Sequence, residues 1–220
     1  MITPFYLVCD ESQSMEGAKL DACNTALSNI HAAVAADHIV NDKIRIGVIS
    51  FSDTAQVLLP LSKMTDVVDF SGLVVKGGTN YGNAFTCLKN TIQTDMVDLQ
   101  KSGAKMCRPI VFFISDGEPT DTNWKAAHAQ VADKTWPFSP HIISFGLSGA
   151  QADTIREVAT QVDKKGKSFA YLADDNADPG AVLSEIFKSL LGTIVGSAKD
   201  PGGGMVLPIT GPGFIKLDEV

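Results

Sequence analysis

The chain is poor in the residues that mark secreted, nucleic-acid-binding or membrane proteins. It has four cysteines in 220 residues, Cys9, Cys23, Cys87 and Cys107, scattered and without a C-x-x-C pair. That spacing argues against a zinc site or a disulfide framework, and predicts buried, reduced thiols. Positive charge is also scarce: 18 Lys and Arg stand against 25 Asp and Glu, with no basic cluster, for a formal charge of −7. Nucleic acid and anionic membrane are therefore not expected partners. No uninterrupted apolar run approaches the roughly 18 residues of a membrane span. The first residues lack the basic, apolar and small-residue segments of a signal peptide, so the expected location is the cytoplasm. There is no P-loop, no G-x-G-x-x-G and no G-x-S-x-G elbow, and no internal repeat. What remains, 45% hydrophobic and 20% charged residues, is the composition of a globular protein long enough for one sizeable core.

What is present is an alternation of strands and helices. Phe5 to Cys9 is an apolar run suited to a buried strand. Leu20, Cys23, Leu27, Ile30 and Val34 recur at the spacing of a helix face. Asn41-Asp42 predicts a turn. Lys43 to Phe51 then alternates, with Ile44, Ile46, Val48 and Phe51 on one side, and Ala55 to Leu59 follows a tight connection, so the two form a hairpin. A helical turn is expected over Thr65 to Phe70. Further helices are marked by Phe85, Leu88, Ile92, Met96 and Leu99, by Trp124 to Lys134, by Ala152 to Val162, and by Val182 to Ile194. Strands are marked by Pro109 to Ser115, Ser139 to Leu147 and Lys167 to Leu172. This order predicts an α/β fold, a doubly wound and mostly parallel sheet with one antiparallel edge strand and helices on both faces. Asp200 to Gly204, with three successive glycines, separates a domain over 1–197 from a Gly/Pro-rich tail over 198–220.

Three stretches carry the chemistry. Asp10-Glu11-Ser12-Gln13-Ser14 leaves the end of the first strand and gives a carboxylate followed by hydroxyls at every second position. Lys76-Gly77-Gly78-Thr79-Asn80 is a glycine-rich loop with a central hydroxyl ahead of a helix. Ser115-Asp116-Gly117 ends a second buried strand in a carboxylate. Strand ends of this kind are where open α/β sheets place ligand sites, and convergent small oxygen side chains suit a hard divalent cation. Taken singly, each loop can also be read as hydroxyls capping a helix start.

In order and spacing the three stretches resemble the metal-ion-dependent adhesion site of the von Willebrand factor A domain family, over roughly residues 3 to 195. Ser115-Asp116-Gly117-Glu118-Pro119-Thr120-Asp121 looks most like the bacterial intracellular members of the tellurium-resistance type. The resemblance implies a site for Mg²⁺, or Mn²⁺ or Ca²⁺, held by Asp10, Ser12, Ser14, Thr79 and Asp116. Ser12 and Ser14 would bind directly, Thr79 directly or through water, and Asp10 and Asp116 mostly through water. Two carboxylates and three neutral hydroxyls leave such an ion electron-poor, so an acidic residue of another protein is the implied partner, in a tellurium or metal stress response. Glu11 departs from the smaller residue usual in the family, and its charge is expected to discourage an acidic partner.

The competing reading is a Mg²⁺-dependent phosphoryl-transfer enzyme or phosphatase. It would want an acid two residues after Asp10, where Ser12 stands, and a cation near the phosphate, for which Lys76 is the candidate. His31, His38, His128 and His141 are read as solvated or packed residues rather than bases, so no catalysis is expected. The final helix should dock firmly through its wide apolar face. The tail, with Met205, Val206, Leu207, Ile209, Phe214, Ile215 and Leu217, is too apolar for a free linker. It either packs on its own domain as an extended segment beside a sheet edge, or associates with a second molecule, offering Asp218 and Glu219 as ligands.

Overall fold

The computed structural model describes residues 1–69, 71–160, 168–174, 178–199 and 214–217. Seven strands form one sheet in the order β3-β2-β1-β4-β5-β6-β7. They are β1 (Thr3–Asp10), β2 (Ile44–Phe51), β3 (Ala55–Ser62), β4 (Ile110–Ser115), β5 (His141–Gly146), β6 (Ala170–Ala173) and β7 (Phe214–Lys216). The helices are α1 (Ala18–Ala36), α2 (His38–Lys43), α3 (Tyr81–Lys101), α4 (Trp124–Ala132), α5 (Ala152–Val158) and α6 (Pro179–Lys199). Strands β2, β1, β4, β5 and β6 run parallel, and β3 is the expected antiparallel edge. Its Pro60 is tolerated there because an edge strand can spare an amide.

Side-chain parity explains the two-layered core. In β1, Phe5, Leu7 and Cys9 join the cluster formed with α1, α2 and α6, while Tyr6 and Val8 join the one formed with α3 and α4. In β4, Ile110, Phe112 and Ile114 face the first cluster and Val111 and Phe113 the second. Both strands are buried along their whole length, and apolar except at their ends, because both of their faces are covered. The periodicity of α1 holds: Leu20, Cys23, Leu27, Ile30 and Val34 are all buried.

The structure departs from the sequence reading in several places. Asn41-Asp42 lies inside α2 rather than in a turn, because the Asp37 carboxylate accepts from the Ile39 and Val40 amides and starts a helix there. Phe51 points opposite to Ile44, Ile46 and Val48, since it stands an odd number of residues away, and packs with Ile49 in the second cluster. The turn over Thr65 to Phe70 is a short 3-10 segment, Met64–Asp66, and Phe70 lies outside the described residues. The sheet also has a second antiparallel edge, β7, whose Phe214, Ile215 and Lys216 pair with Ala173, Leu172 and Tyr171. Leu217 is buried beside Ile155 and Ala170. This part of the tail packs on its own domain. Residues 200–213 and 218–220 of the tail lie outside the described residues, as do Val162 and Lys167; the helix expected over Ala152 to Val162 ends already at Val158, where Ala159 turns extended.

Helix α6 is long and apolar enough, by length and composition, to cross a membrane. Here its Val182, Leu183, Ile186, Phe187, Leu190 and Ile194 are buried in the first cluster, against α1, α2 and β1. It is a core helix, as its apolar face predicts.

The strand order has one further consequence. From β1 the chain winds outward to β2 and β3, then crosses back to β4 on the other side of β1 and winds outward again. The switch point, where an open α/β sheet leaves a crevice at its carboxyl edge, lies between β1 and β4. Asp10 ends β1 and Ser115-Asp116 ends β4.

Candidate metal centre

The three sequence stretches meet at this switch point. Asp10 is fully buried, and its two oxygens accept from different loops: Oδ1 from the Ser12 amide at 2.8 Å, Oδ2 from the Ser115 hydroxyl at 2.6 Å. The Ser12 and Ser14 hydroxyls are 3.0 Å apart, and Ser14 Oγ donates to Asp116 Oδ1 at 2.6 Å. A continuous hydrogen-bonded chain thus runs from the Ser12-Ser14 turn to the end of β4. Thr79 faces the same space: a Cβ on Gly117 would stand 3.2 Å from Thr79 Oγ1 and 3.8 Å from Ser14 Oγ. Glycine at 117 keeps those two hydroxyls close.

Backbone contacts lock the loops together. The Glu11 amide donates to Phe51 O, the Lys76 amide to Glu11 O, and the Gln13 amide to Gly77 O. Thr79 O accepts from both the amide and the hydroxyl of Thr120, and Tyr81 OH donates to Gly117 O at 3.0 Å. Asp53 holds the glycine loop by accepting from the Gly78 amide at 3.0 Å. At Gly77, with φ of 28°, any Cβ would collide with the Asp53 carboxylate, so the loop needs glycine there.

Glu11 does not project charge into the site. It is buried, and its carboxylate is held by Lys76 Nζ at 3.0 Å and by the Val74 amide at 3.2 Å. The charge expected to discourage an acidic partner is thus paired within the fold. The same pair engages Lys76, the candidate phosphate cation of the competing reading.

The site is also less superficial than a surface loop: Asp10, Ser12, Thr79 and Asp116 are all buried. Burial pushes the Asp10 carboxyl up to about 6, with the charge of Asp116 adding to the rise, against the lowering pull of the bonds from Ser115 and Ser12. A buried carboxylate held by hydroxyl and amide donors is short of positive charge.

Two residues at the site, Asp53 and Lys19, went unrecognised in the sequence, and Ser115 was given no role of its own. Ser115 anchors Asp10, Asp53 anchors the glycine loop, and Lys19 donates to Asp116 Oδ2 at 2.5 Å. The signal for Lys19 was available. It is the second residue of α1, at the end of a helix that disfavours a cation, so a compensating anion was to be expected nearby. The four histidines lie elsewhere. His31 bonds to Met64 O and Val67 O, His128 bonds to Val158 O, His141 opens β5 at the opposite edge of the sheet, and His38 opens α2.

The donor set is two carboxylates and three hydroxyls, all hard oxygens, on loops pinned to one another. Among the described residues no group of three His, Cys, Asp or Glu side chains gathers as a metal cluster, and the hydroxyls make up the remainder here. These residues fit a small divalent cation better than a soft or nitrogen-loving metal.

A doubly wound sheet with an oxygen-lined crevice at its switch point defines the architecture. The von Willebrand factor type A domain profile matches residues 5–118, just over half of the chain, and the chain belongs to that family. None of the curated proteins matches it. Among solved structures, proximal thread matrix protein 1 from the mussel byssus is similar at 16% identity and a TM-score of 0.59, over 88% of this chain and 47% of its own. A mutant of the PilB minor pilin from Streptococcus sanguinis gives 13% identity and 0.57, over 87% and 62%. The ArnB paralogue VWA2 from Sulfolobus acidocaldarius gives 17% and 0.51, over 86% and 44%. At such identities the likeness shows the fold, and the chain spans between 44% and 62% of the length of these proteins.

Proposed function

We propose that the chain is a non-catalytic interaction module. In this reading Asp10, Ser12, Ser14, Thr79 and Asp116 hold a divalent cation, Mg²⁺ or else Mn²⁺ or Ca²⁺, that captures an acidic residue of a partner protein. The observation that carries the reading is the hydrogen-bonded chain from Asp10 and Ser12 through Ser14 to Asp116, with Thr79 facing it across Gly117. The bound cation would supply a Lewis-acidic position for a carboxylate oxygen. Ser12 and Ser14 offer neutral oxygens, Asp10 and Asp116 offset the ion's charge, and Ser115 and the Ser12 amide hold Asp10 in place. The paired Glu11 and Lys76 leave the rim without the loose negative charge that would repel an acidic partner.

The finer placement rests on the Ser115 to Asp121 stretch, which supports a tellurium-resistance-type member acting in the cytoplasm in metal stress. In this stretch Glu118 holds α5 through the Gln151 amide and Thr154 hydroxyl, and Asp121 holds α3 through the Gly82 amide. It therefore ties the site to two helices as well as resembling that group.

Calorimetric titration with Mg²⁺ or Mn²⁺ tests the cation. Wild type should bind one ion and the Ser12→Ala/Ser14→Ala double variant none; equal heats refute the reading. Pull-down with wild type against Asp116→Ala, with and without chelator, tests the partner.

A further inference from the structure

Lys19 has no part in the cation site read from the sequence, yet it is built into it. Its side chain is 19% exposed, and its ammonium lies 2.5 Å from Asp116 Oδ2, 3.2 Å from Ser148 O and 3.4 Å from Ser14 O. Three acceptors surround a group with three protons. They come from the loops after β1, β4 and β5, so the ammonium sits where the site's loops converge. It holds this place from the second position of α1, against the helix dipole.

The two carboxylates of the site are therefore not equivalent. Asp10 is held by a hydroxyl and an amide. Asp116 has one oxygen on Ser14 and the other on Lys19.

We propose that Lys19 is an internal counter-ion, which neutralises Asp116 in the metal-free protein and competes with the divalent cation for it. The proposal rests on the cation reading above. An ion settling on Ser12, Ser14 and Thr79 meets one carboxylate already paired and a fixed positive charge beside it. At separations of a few ångströms inside a protein, such like-charge repulsion weakens binding strongly. Lys19 thus sets a threshold: the site stays intact without metal and fills only when cation supply is high or the ammonium is drawn away.

The test is Mn²⁺ titration of the full chain carrying Lys19→Met, which keeps most of the stem and removes the charge. We expect at least tenfold tighter binding than wild type. The metal-free variant should also melt several degrees lower, a gap that closes at saturating Mn²⁺. Adding Ser12→Ala/Ser14→Ala should abolish the gain. A second measurement needs no variant: acylation of wild-type Lys19, read by mass spectrometry, should be slow without metal and at least several-fold faster with saturating Mn²⁺. Equal or weaker binding by a folded Lys19→Met, or labelling that ignores Mn²⁺, overturns the inference and leaves the cation reading standing. No binding by wild type or Lys19→Met overturns both.

Discussion

The two faces of the sheet are packed with different materials. The face under α1, α2 and α6 is mostly aliphatic, with Leu20, Leu27, Ile30, Leu183, Ile186 and Leu190, and its rings meet in stacked pairs such as Phe5–Phe112 and Phe145–Tyr171. The face under α3 and α4 is an aromatic lattice. Phe113 lies 5.2 Å from Phe51, 4.9 Å from Tyr81 and 5.3 Å from Phe85, and Trp124 closes the group against Tyr81 and Phe85. Aromatic pairs prefer offset-stacked or edge-to-face geometry and add about 0.5–1.5 kcal/mol each beyond their buried area. Through Tyr81 the aromatic face reaches the backbone of Gly117 at the site. The aliphatic face reaches the site through α1 and its Lys19.

The largest effect expected from this contrast is that of Phe113→Ala, which removes a ring touching three others. It should cost about 3–5 kcal/mol of stability, and Leu190→Ala on the opposite face about 2–5, toward the lower end if that face relaxes around the cavity. Chemical denaturation of both variants measures the pair; a costlier Leu190→Ala would invert the ranking of the faces.

Acid sharpens the same comparison. His128 packs its ring on Phe85 at 4.9 Å, and burial holds its imidazole below the ordinary value. The folded protein keeps it neutral, while the unfolded chain takes up a proton as pH falls below about 6.5. The stability this contributes is therefore complete above about pH 6.5 and is lost on acidification. His141, pushed down to about 4 by burial and then by Arg108, adds to the same slope between about 6.5 and 4. His128→Phe should flatten part of the decline in melting temperature between pH 7 and 5. An unchanged slope means that the ring is not the group responsible.

A smaller effect belongs to Tyr81→Phe. The ring stays in place but Gly117 O loses its donor, at about 1 kcal/mol, and Mn²⁺ affinity should fall with it. If stability drops while affinity holds, the aromatic face supports the fold without shaping the site. The smallest is Ile215→Ala. This side chain is half exposed on the short strand β7, outside both lattices, and its loss should stay within about 0.5 kcal/mol.

Much of this was legible in one dimension. The unbroken apolar runs Phe5 to Cys9 and Ile110 to Ser115 mark strands covered on both faces, and Asp-x-Ser-x-Ser with a later Ser-Asp-Gly marks the loops that leave them. Local patterns were read correctly where one force dominated. They misled where two competed: Asn41-Asp42 is a turn pair by composition, but the Asp37 cap one residue before α2 decided for a helix. The rest lay in contacts too distant to read. Lys19 meets Asp116 from 97 residues away, and Glu11 meets Lys76 from 65. A charge in a sequence does not reveal whether its partner waits across the fold. The tail posed the same difficulty, since its apolar residues fit either a sheet edge or another molecule until Phe214–Lys216 are seen beside β6.

The wide separations within the site also bear on how the protein comes into being. Ser14 and Asp116 are 102 residues apart in the chain, and Asp10 and Ser115 are 105. Closing so long a loop costs chain entropy before the contact rewards it, so contacts of that separation form slowly. A nascent chain that stops short of β4 has the first two loops and neither Ser115 nor Asp116. The hydroxyl-carboxylate chain is therefore incomplete until β4 has been made and placed beside β1. It appears when β4 docks beside β1, and a spectroscopic label at Ser14 or Gly117 would time that docking during refolding.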